Sequence, residues 1–163
     1  DGTIAGEGPG PRAMRPHVKN YILASSDCVA IDAIEAKLMG FDPMTDLKFI
    51  RLAHERGLGV GNPSEIEIVG DDITGVNFGF RGSLNENTFA SWGQKLIYWG
   101  PLKPLENLLL RSPIVPWSYF ASRLYHDGYW YPVNGKPRVR NIMATGWGQL
   151  FRDYGDRKAF RGV

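Results

Sequence analysis

The chain has 163 residues, of which 43% are hydrophobic, 22% charged and 12% aromatic; this composition predicts one folded, soluble domain with its own core. The formal net charge of +2 is too small to predict a nucleic-acid partner, because nucleic-acid binders concentrate Lys and Arg on one face. The single cysteine, Cys28, excludes an intrachain disulfide. It also excludes an iron–sulfur cluster or a thiolate zinc site held by this chain alone.

Neither a membrane span nor a signal peptide is expected from the sequence. No run approaches the roughly 18 apolar residues that cross a bilayer, and a cytoplasmic location is therefore predicted. The first residue is Asp1 rather than Met, which suggests that an N-terminal segment is missing. We expect self-association across whatever surface such a segment would leave bare.

The first half predicts a strand, two helices and a second strand. Ser26 or Asp27 is the candidate N-cap for the first helix, and Gly40 is its natural left-handed stop. Thr45 is the candidate N-cap of the second helix, which should end at Gly57 with Leu58 packed back on it. The strands are expected over residues 18–24, as a buried central strand, and over residues 65–68.

The second half predicts short aromatic helices followed by a hairpin. Helices are expected over residues 88–98, 102–110 and 117–126, and Asn134–Gly135 is a strong signal for a two-residue hairpin turn. A short final helix should follow residue 148. The sequence therefore predicts a single α/β (or α+β) domain over residues 1–163, with a mixed sheet covered by helices and a C-terminal β-hairpin.

A glycine- and proline-rich loop near the N-terminus is the first candidate site. Glycines let a backbone approach a ligand closely, which makes Gly8 and Gly10 candidate binding positions. Arg12 is a candidate partner for a carboxylate or phosphate, and Glu7 is a candidate catalytic carboxylate. The alternative is a surface connection with a solvated charge at each end.

The first predicted helix carries the second candidate, Asp32, which falls between Cys28, Ala36 and Met39 on a helical wheel. A carboxylate inside an apolar arc must be paired or hydrogen-bonded, or its pKa must rise, and such carboxylates occur often at functional sites. Asp32 is therefore a candidate catalytic residue, although a structural role is the alternative. A divalent metal held by Asp1, Glu7 and Asp32 is a further hypothesis, and Asp27 is a candidate ligand-binding residue.

The order of motifs resembles the domain of unknown function 362 family over residues 1–80. The matching motifs are Asp1-Gly2, Gly8-Pro9-Gly10-Pro11, Ala24-Ser25-Ser26-Asp27, Val29-Ala30-Ile31-Asp32-Ala33, Met39-Gly40-Phe41-Asp42-Pro43, Gly57-Leu58-Gly59 and Val69-Gly70-Asp71-Asp72. The resemblance implies that the chain is the C-terminal portion of a larger family domain. Residues 1–80 would form its α/β core, and residues 81–163 an aromatic helical cover with the hairpin. The family has no settled activity, and its cysteine-rich ferredoxin-like segment is absent here.

Three functions remain open from the sequence. The first is a small-molecule-binding or metal-dependent enzyme with its site at the Gly-Pro loop. The second is a non-catalytic module that docks a protein partner or a membrane surface through its aromatic C-terminal half. The third is a redox-associated accessory protein, suggested only by the family's association with ferredoxin-like segments. For the aromatic half, we expect the core to shield Trp92, Trp99 and Trp117.

Overall fold

The computed structural model describes residues 1–9, 13–82 and 89–156. The chain divides into two compact units. The first unit comprises Asp1–Gly2 and Tyr21–Arg81, and the second comprises Thr3–Asn20 and Gly82–Val163. The described residues combine helices with a two-stranded antiparallel sheet, so the expectation of mixed helix and strand content is confirmed.

The sheet is an N-terminal hairpin in which strand β1 (Gly2–Glu7) pairs with strand β2 (Arg15–Tyr21). Thr3 and Ala5 are buried on alternate positions of β1, as the two-residue period of a strand requires. The prediction of a buried central strand over residues 18–24 is wrong. The strand starts at Arg15 and both strands of this sheet are edges, which leaves Val18 exposed.

Helix α1 (Cys28–Met39) begins and ends where the sequence predicts. The Asp27 carboxylate accepts hydrogen bonds from the backbone N–H groups of Val29 (2.8 Å) and Ala30 (3.1 Å), which satisfies two of the unpaired donors of the first turn. At the other end, Gly40 has φ 102°, a left-handed conformation that favours glycine.

Helix α2 (Lys48–Glu55) begins later than predicted. Thr45 is not its N-cap, because the Asp42 carboxylate accepts the N–H groups of Met44 and Thr45 in a turn before the helix. The predicted end is confirmed at Gly57, which has φ 67°. The N–H groups of Gly57 and Leu58 donate to the carbonyls of His54 (2.9 Å) and Ala53 (3.0 Å), which are the bonds of the predicted Schellman-type ending, although Leu58 itself is 71% exposed.

The core of the first unit lies between α1, α2 and the chain that follows them. One cluster contains Ala33, Ala36 and Ile50, and a second contains Ile34, Leu38 and Ile73. The expected strand over residues 65–68 is replaced by a 3₁₀ turn at Pro63–Glu65. Ile66 has extended backbone angles and packs against both clusters, so local extension is present without a paired strand.

The second unit is mostly helical outside its hairpin. The predicted helices are confirmed in outline, and their bounds are α3 Phe89–Tyr98, a 3₁₀ turn at Lys103–Leu105, α4 Glu106–Leu110, α5 Ile114–Tyr125 and α7 Gly146–Asp156. Residue 88 lies outside the described residues. No helix of the described residues is long and apolar enough to cross a membrane.

The predicted C-terminal hairpin is wrong. A π-helical segment (His126–Gly135) runs into helix α6 (Lys136–Met143) at the position of the expected turn. A type I′ hairpin turn needs positive φ at both central residues, whereas Gly135 has φ −67°. A Cβ there would lie 2.5 Å from Cδ2 of Tyr131 and 3.1 Å from Cζ3 of Trp130, so this glycine serves close helical packing.

The expected shielding of three tryptophans is also wrong. Trp92, Trp99 and Trp117 expose 51%, 78% and 67% of their surface. The buried hydrophobic side chains of the described residues lie almost entirely in the first unit and the hairpin. The helices of the second unit are therefore covered much less than a roof over a core would be.

Gly59 supplies a test of how tightly the first unit is packed. A Cβ at this position would overlap Oδ1 of Asp27 and lie 2.8 Å from two carbons of Val29. Because overpacking forces neighbouring groups to shift, we expect Gly59→Ala to lower the free energy of unfolding by about 1–3 kcal/mol. Urea denaturation measures this, with Gly75→Ala as the control, since a Cβ at Gly75 meets nothing within 4 Å. Equal stability of the two variants would contradict the packing described.

Candidate functional site

A cluster of charged side chains lies on one face of the N-terminal hairpin. Oε2 of Glu7 lies 3.3 Å from a guanidinium nitrogen of Arg15 and 3.4 Å from Nε2 of His17. Arg15 and His17 are two residues apart on β2, so both point to the same face of the sheet, and Glu7 ends the paired strand. The hairpin thus brings one carboxylate, one guanidinium and one imidazole together; we call these three residues the hairpin cluster.

The three side chains differ in how much water they meet. Only 11% of the Glu7 side chain is exposed, compared with 37% for Arg15 and 40% for His17. An incoming molecule would therefore meet the guanidinium and the imidazole before the carboxylate. Glu7 is placed to hold the Arg15 guanidinium and the His17 imidazole in position, as a carboxylate orients a neighbouring histidine in other proteins.

The Gly-Pro loop enters the site at its described end. Gly8 has φ 99°, a conformation that L side chains rarely adopt, and a Cβ at Gly6 would overlap the sulfur of Met14. The backbone at Gly8 is therefore specific to glycine, and the ligand-binding role of Gly8 stays a prediction. Gly10 and Arg12, the other two loop residues predicted to bind a ligand, lie outside the described residues.

Asp27, a predicted ligand-binding residue, holds the first unit together. Besides capping α1, its Oδ2 accepts a 2.8 Å hydrogen bond from the N–H of Val60 in the loop after α2. The Val60 N–H lowers the pKa of the Asp27 carboxyl below its ordinary value; the N–H groups of Ala30 and Val29 add to this, and partial desolvation opposes it. All of these partners belong to the protein backbone, so the contacts assign Asp27 a structural role.

Asp32 does not occupy the apolar environment that the helical wheel predicts. It is exposed, as are Glu35 and Cys28, and these three positions form the outer face of α1. The inner face consists of Ala30, Ala33, Ile34, Ala36 and Leu38. The prediction was wrong because it took the apolar residues Cys28 and Met39 for buried ones, whereas the small alanines make the packed side.

The metal hypothesis for Asp1, Glu7 and Asp32 gains no support. No group of three or more His, Cys, Asp or Glu side chains among the described residues is arranged to hold a metal ion. Asp1 and Asp32 are exposed, and Glu7 already has a guanidinium beside it. The catalytic roles predicted for Asp32 and Glu7 remain predictions.

Two other polar positions have local explanations. Nδ1 of His54 accepts a 3.1 Å hydrogen bond from the N–H of Gly61, which is the structural role expected of a half-buried histidine. Asp72 lines a shallow depression of about 290 Å³, and its carboxylate accepts the N–H of Thr74 at 2.9 Å. Hydrogen bonds to Thr74 lower the pKa of Asp72, as in an ordinary aspartate turn.

Sequence analysis missed Arg15 and His17. The signal that could have found them is the alternation of Arg15 and His17 along a strand opposite Glu7. The predicted strand over residues 18–24 leaves out Arg15 and His17, and the Gly-Pro segment alone does not indicate that a strand precedes it. Once that segment is recognised as the connection of a hairpin, the three side chains fall on one face.

No protein-family model, curated protein or solved structure matches the chain. The resemblance to the domain of unknown function 362 family therefore remains a prediction based on its motifs.

The two aspartates near α1 should respond differently to substitution. Asp27→Ala removes the acceptor of three backbone N–H groups, so we expect its melting temperature to fall by at least about 3 °C. Asp32→Ala removes an exposed carboxylate, and its melting temperature should stay within about 1–2 °C of the parent. Thermal unfolding followed by circular dichroism measures both. A larger loss in Asp32→Ala than in Asp27→Ala would contradict the roles assigned here.

The lowered pKa of Asp27 predicts a specific acid dependence. A carboxyl with a lower pKa in the folded state stabilises the fold above its unfolded pKa, near 3.9, and this contribution is lost as pH falls through the folded pKa. Asp27→Asn can still cap α1, but its amide nitrogen cannot accept the Val60 N–H. The stability difference between the parent and Asp27→Asn should be constant above about pH 5 and shrink below about pH 4. A difference independent of pH down to acid unfolding would show that the charge of Asp27 contributes nothing.

Proposed function

We propose that the chain binds a small anionic molecule at the hairpin cluster, where Arg15 and His17 face the ligand and Glu7 stands behind them. The observation that supports this proposal is the order of burial around Glu7. The most buried member of the cluster is the carboxylate, and its two neighbours expose more than a third of each side chain. In an ordinary surface ion pair both partners are exposed to solvent, whereas here the carboxylate is covered and the two groups beside it are exposed.

Arg15 is the group that would recognise the anion. A guanidinium has five donors in a planar fork and can bind a carboxylate or phosphate while one edge stays with Glu7. Gly8 lets the backbone of the adjacent loop come close to the same ligand.

His17 is the group that would transfer a proton. Imidazole side chains serve as general acids and bases in enzymes, and the Glu7 carboxylate 3.4 Å from Nε2 of His17 fixes the orientation of the ring. If the protein is an enzyme, His17 is the acid–base residue and Glu7 its partner. This assignment modifies the earlier expectation, in which Glu7 itself met the substrate.

A metal-dependent version of the same site is less well supported. A divalent cation prefers several carboxylate oxygens, whereas Glu7 shares its charge with the guanidinium of Arg15 at 3.3 Å. A second positive ion at that position would be repelled. Metal analysis of the purified protein should therefore find less than one equivalent of divalent metal.

A second candidate function is a docking module, and the exposure of the aromatic helices favours it. Trp99 and Trp117 each leave more than two thirds of their surface in water. Monomeric soluble proteins rarely expose contiguous apolar patches larger than a few hundred Å². The two functions are compatible, because the hairpin cluster and the helical residues are different parts of the chain.

Calorimetric titration with inorganic phosphate and with acetate tests the binding site directly. We expect saturable binding of at least one of the two anions, weakened about tenfold or more in Arg15→Ala, which removes charge-assisted hydrogen bonds. Glu7→Gln should also weaken binding, since Arg15 and His17 lose the group that orients them. Arg111→Ala is the control, because Arg111 is an exposed arginine outside the hairpin.

Two results would contradict the proposal. One is equal binding by the parent and Arg15→Ala, which would move the anion to another basic residue. The other is the absence of saturable binding of either anion to the parent protein. A melting temperature measured for each variant separates loss of binding from loss of fold.

A further inference from the structure

Large apolar side chains of the second unit lie in water along whole helix faces. In α5, Ile114, Trp117, Phe120 and Leu124 recur at spacings of three and four residues, which places them on one face of the helix. Their exposures are 48%, 67%, 59% and 64%. The rings of Trp117 and Phe120 meet edge to face with centroids 5.9 Å apart, so the exposed face is contiguous at its centre.

A second exposed row occurs in α7. Leu150, Phe151 and Tyr154 recur at spacings of one, three and four residues, and each exposes 40–50% of its surface. A single aromatic side chain can bury about 150–250 Å². The rows of α5 and α7 therefore offer seven aromatic or aliphatic side chains, each with 40–67% of its surface available for contact.

The same part of the chain is positively charged. Residues 89–163 contain 11 Lys and Arg against 4 Asp and Glu, whereas residues 1–88 contain 8 against 13. The charge is thus concentrated in the half that exposes its aromatic side chains, although the chain as a whole carries only +2. Lys103, Arg123, Lys136 and Arg140 are exposed cations of this half.

We infer that the helices of the second unit bind the surface of an anionic lipid bilayer. Helical segments that carry Trp, Tyr, Phe and Leu together with Lys and Arg insert the apolar groups at the headgroup level while the cations meet anionic lipids. Nucleic acid would use the cations but leave the leucines and Ile114 in water. An acidic protein partner is the remaining alternative, and Trp and Tyr beside Arg fit a lipid interface at least as well.

Lipid binding names the partner of the docking module proposed above, and it therefore rests on that proposed function. It does not depend on anion binding at the hairpin cluster. Lipid binding by this surface needs two properties at once, the exposed aromatic face and the positive charge. Each property can be removed separately by substitution.

Co-sedimentation of the full chain with lipid vesicles tests the inference. We expect at least severalfold more protein bound to vesicles of phosphatidylcholine with about one third phosphatidylserine than to phosphatidylcholine alone. Binding should weaken as salt is raised, because the contacts to lipid headgroups are screened. The tryptophan emission should shift to shorter wavelength when anionic vesicles are added, as exposed indoles enter the interface.

Two variants and one control separate the contributions. Trp117→Ser with Phe120→Ser should abolish most of the binding. Lys136→Glu with Arg140→Glu should reduce binding to anionic vesicles by about fivefold or more for each changed residue. Phe49→Ser is the matched control, because Phe49 is 62% exposed on α2 of the first unit and its loss should not change lipid binding.

Four results would overturn the inference. Equal binding to neutral and anionic vesicles would show that charge has no role, and equal losses in Phe49→Ser and in the α5 variant would show that the α5 face is not specific. Failure to bind vesicles, with self-association in sedimentation that Trp117→Ser and Phe120→Ser abolish, would assign the surface to a second copy of the chain and keep the docking function. Failure to bind vesicles by a strict monomer would reject lipid docking and leave an acidic protein as the partner of the docking surface.

Discussion

The carboxylate of Asp27 is the contact on which the first unit depends. Its two oxygens accept three backbone N–H groups, two from the first turn of α1 and one from Val60. The first pair starts the helix, and the third attaches the loop that follows α2. A Cβ at position 59 would overlap Oδ1 of Asp27. Because Gly59 has no side chain, the loop can lie directly on the N-cap of α1.

The rest of the first unit follows from this attachment. With the loop held at the start of α1, Gly61 reaches the imidazole of His54 and Ile50 is buried against Ala33 and Ala36. The alanines of α1 let α2 pack closely against that face of the helix. Asp32 lies on the opposite face of α1 and is exposed. Asp32, the carboxylate that the helical wheel predicts to be catalytic, is thus exposed to solvent. Asp27, which the N-cap pattern predicts to start the helix, has a structural role.

The hairpin cluster uses a carboxylate for a different purpose. Asp27 is neutralised by peptide dipoles, whereas Glu7 faces the side chains of Arg15 and His17, and side chains can exchange partners with a ligand more readily than a backbone can. This difference is why we assign function to Glu7 and structure to Asp27. The exposed cations and aromatic faces of the second unit suit a partner much larger than the small anion that we propose for the hairpin cluster.

Local signals predicted the parts of the structure that depend on local chemistry. The cap at Asp27, the left-handed stops at Gly40 and Gly57 and most helices of the second half follow from short patterns. Pairing was not predictable in the same way, because Ile66 is extended but belongs to no strand, while strand β1 (Gly2–Glu7) pairs with β2. The hairpin signal at Asn134–Gly135 failed because helical packing around Gly135 overrode the turn preference of two residues.

The candidate site was predicted in part for the same reason. Glu7 and Gly8 were identified from the composition of one loop, but Arg15 and His17 join them only through strand pairing. The helical periodicity at Asp32 was correct, and the choice of the buried face was wrong. Which face of a helix is buried depends on neighbours distant in sequence, and small residues such as Ala33 carry that information weakly.

The most direct test of the account is nuclear magnetic resonance of the three histidine side chains during a titration with inorganic phosphate. His17 belongs to the hairpin cluster. Nδ1 of His54 accepts the Gly61 N–H, and Nδ1 of His126 lies 2.7 Å from Oδ1 of Asp127. His54 and His126 therefore serve as internal references. The account predicts saturable shifts of the His17 ring signals with His54 and His126 unchanged, and loss of those shifts in Arg15→Ala. Shifts of all three histidines in parallel, or a silent His17 when phosphate binds, would contradict it.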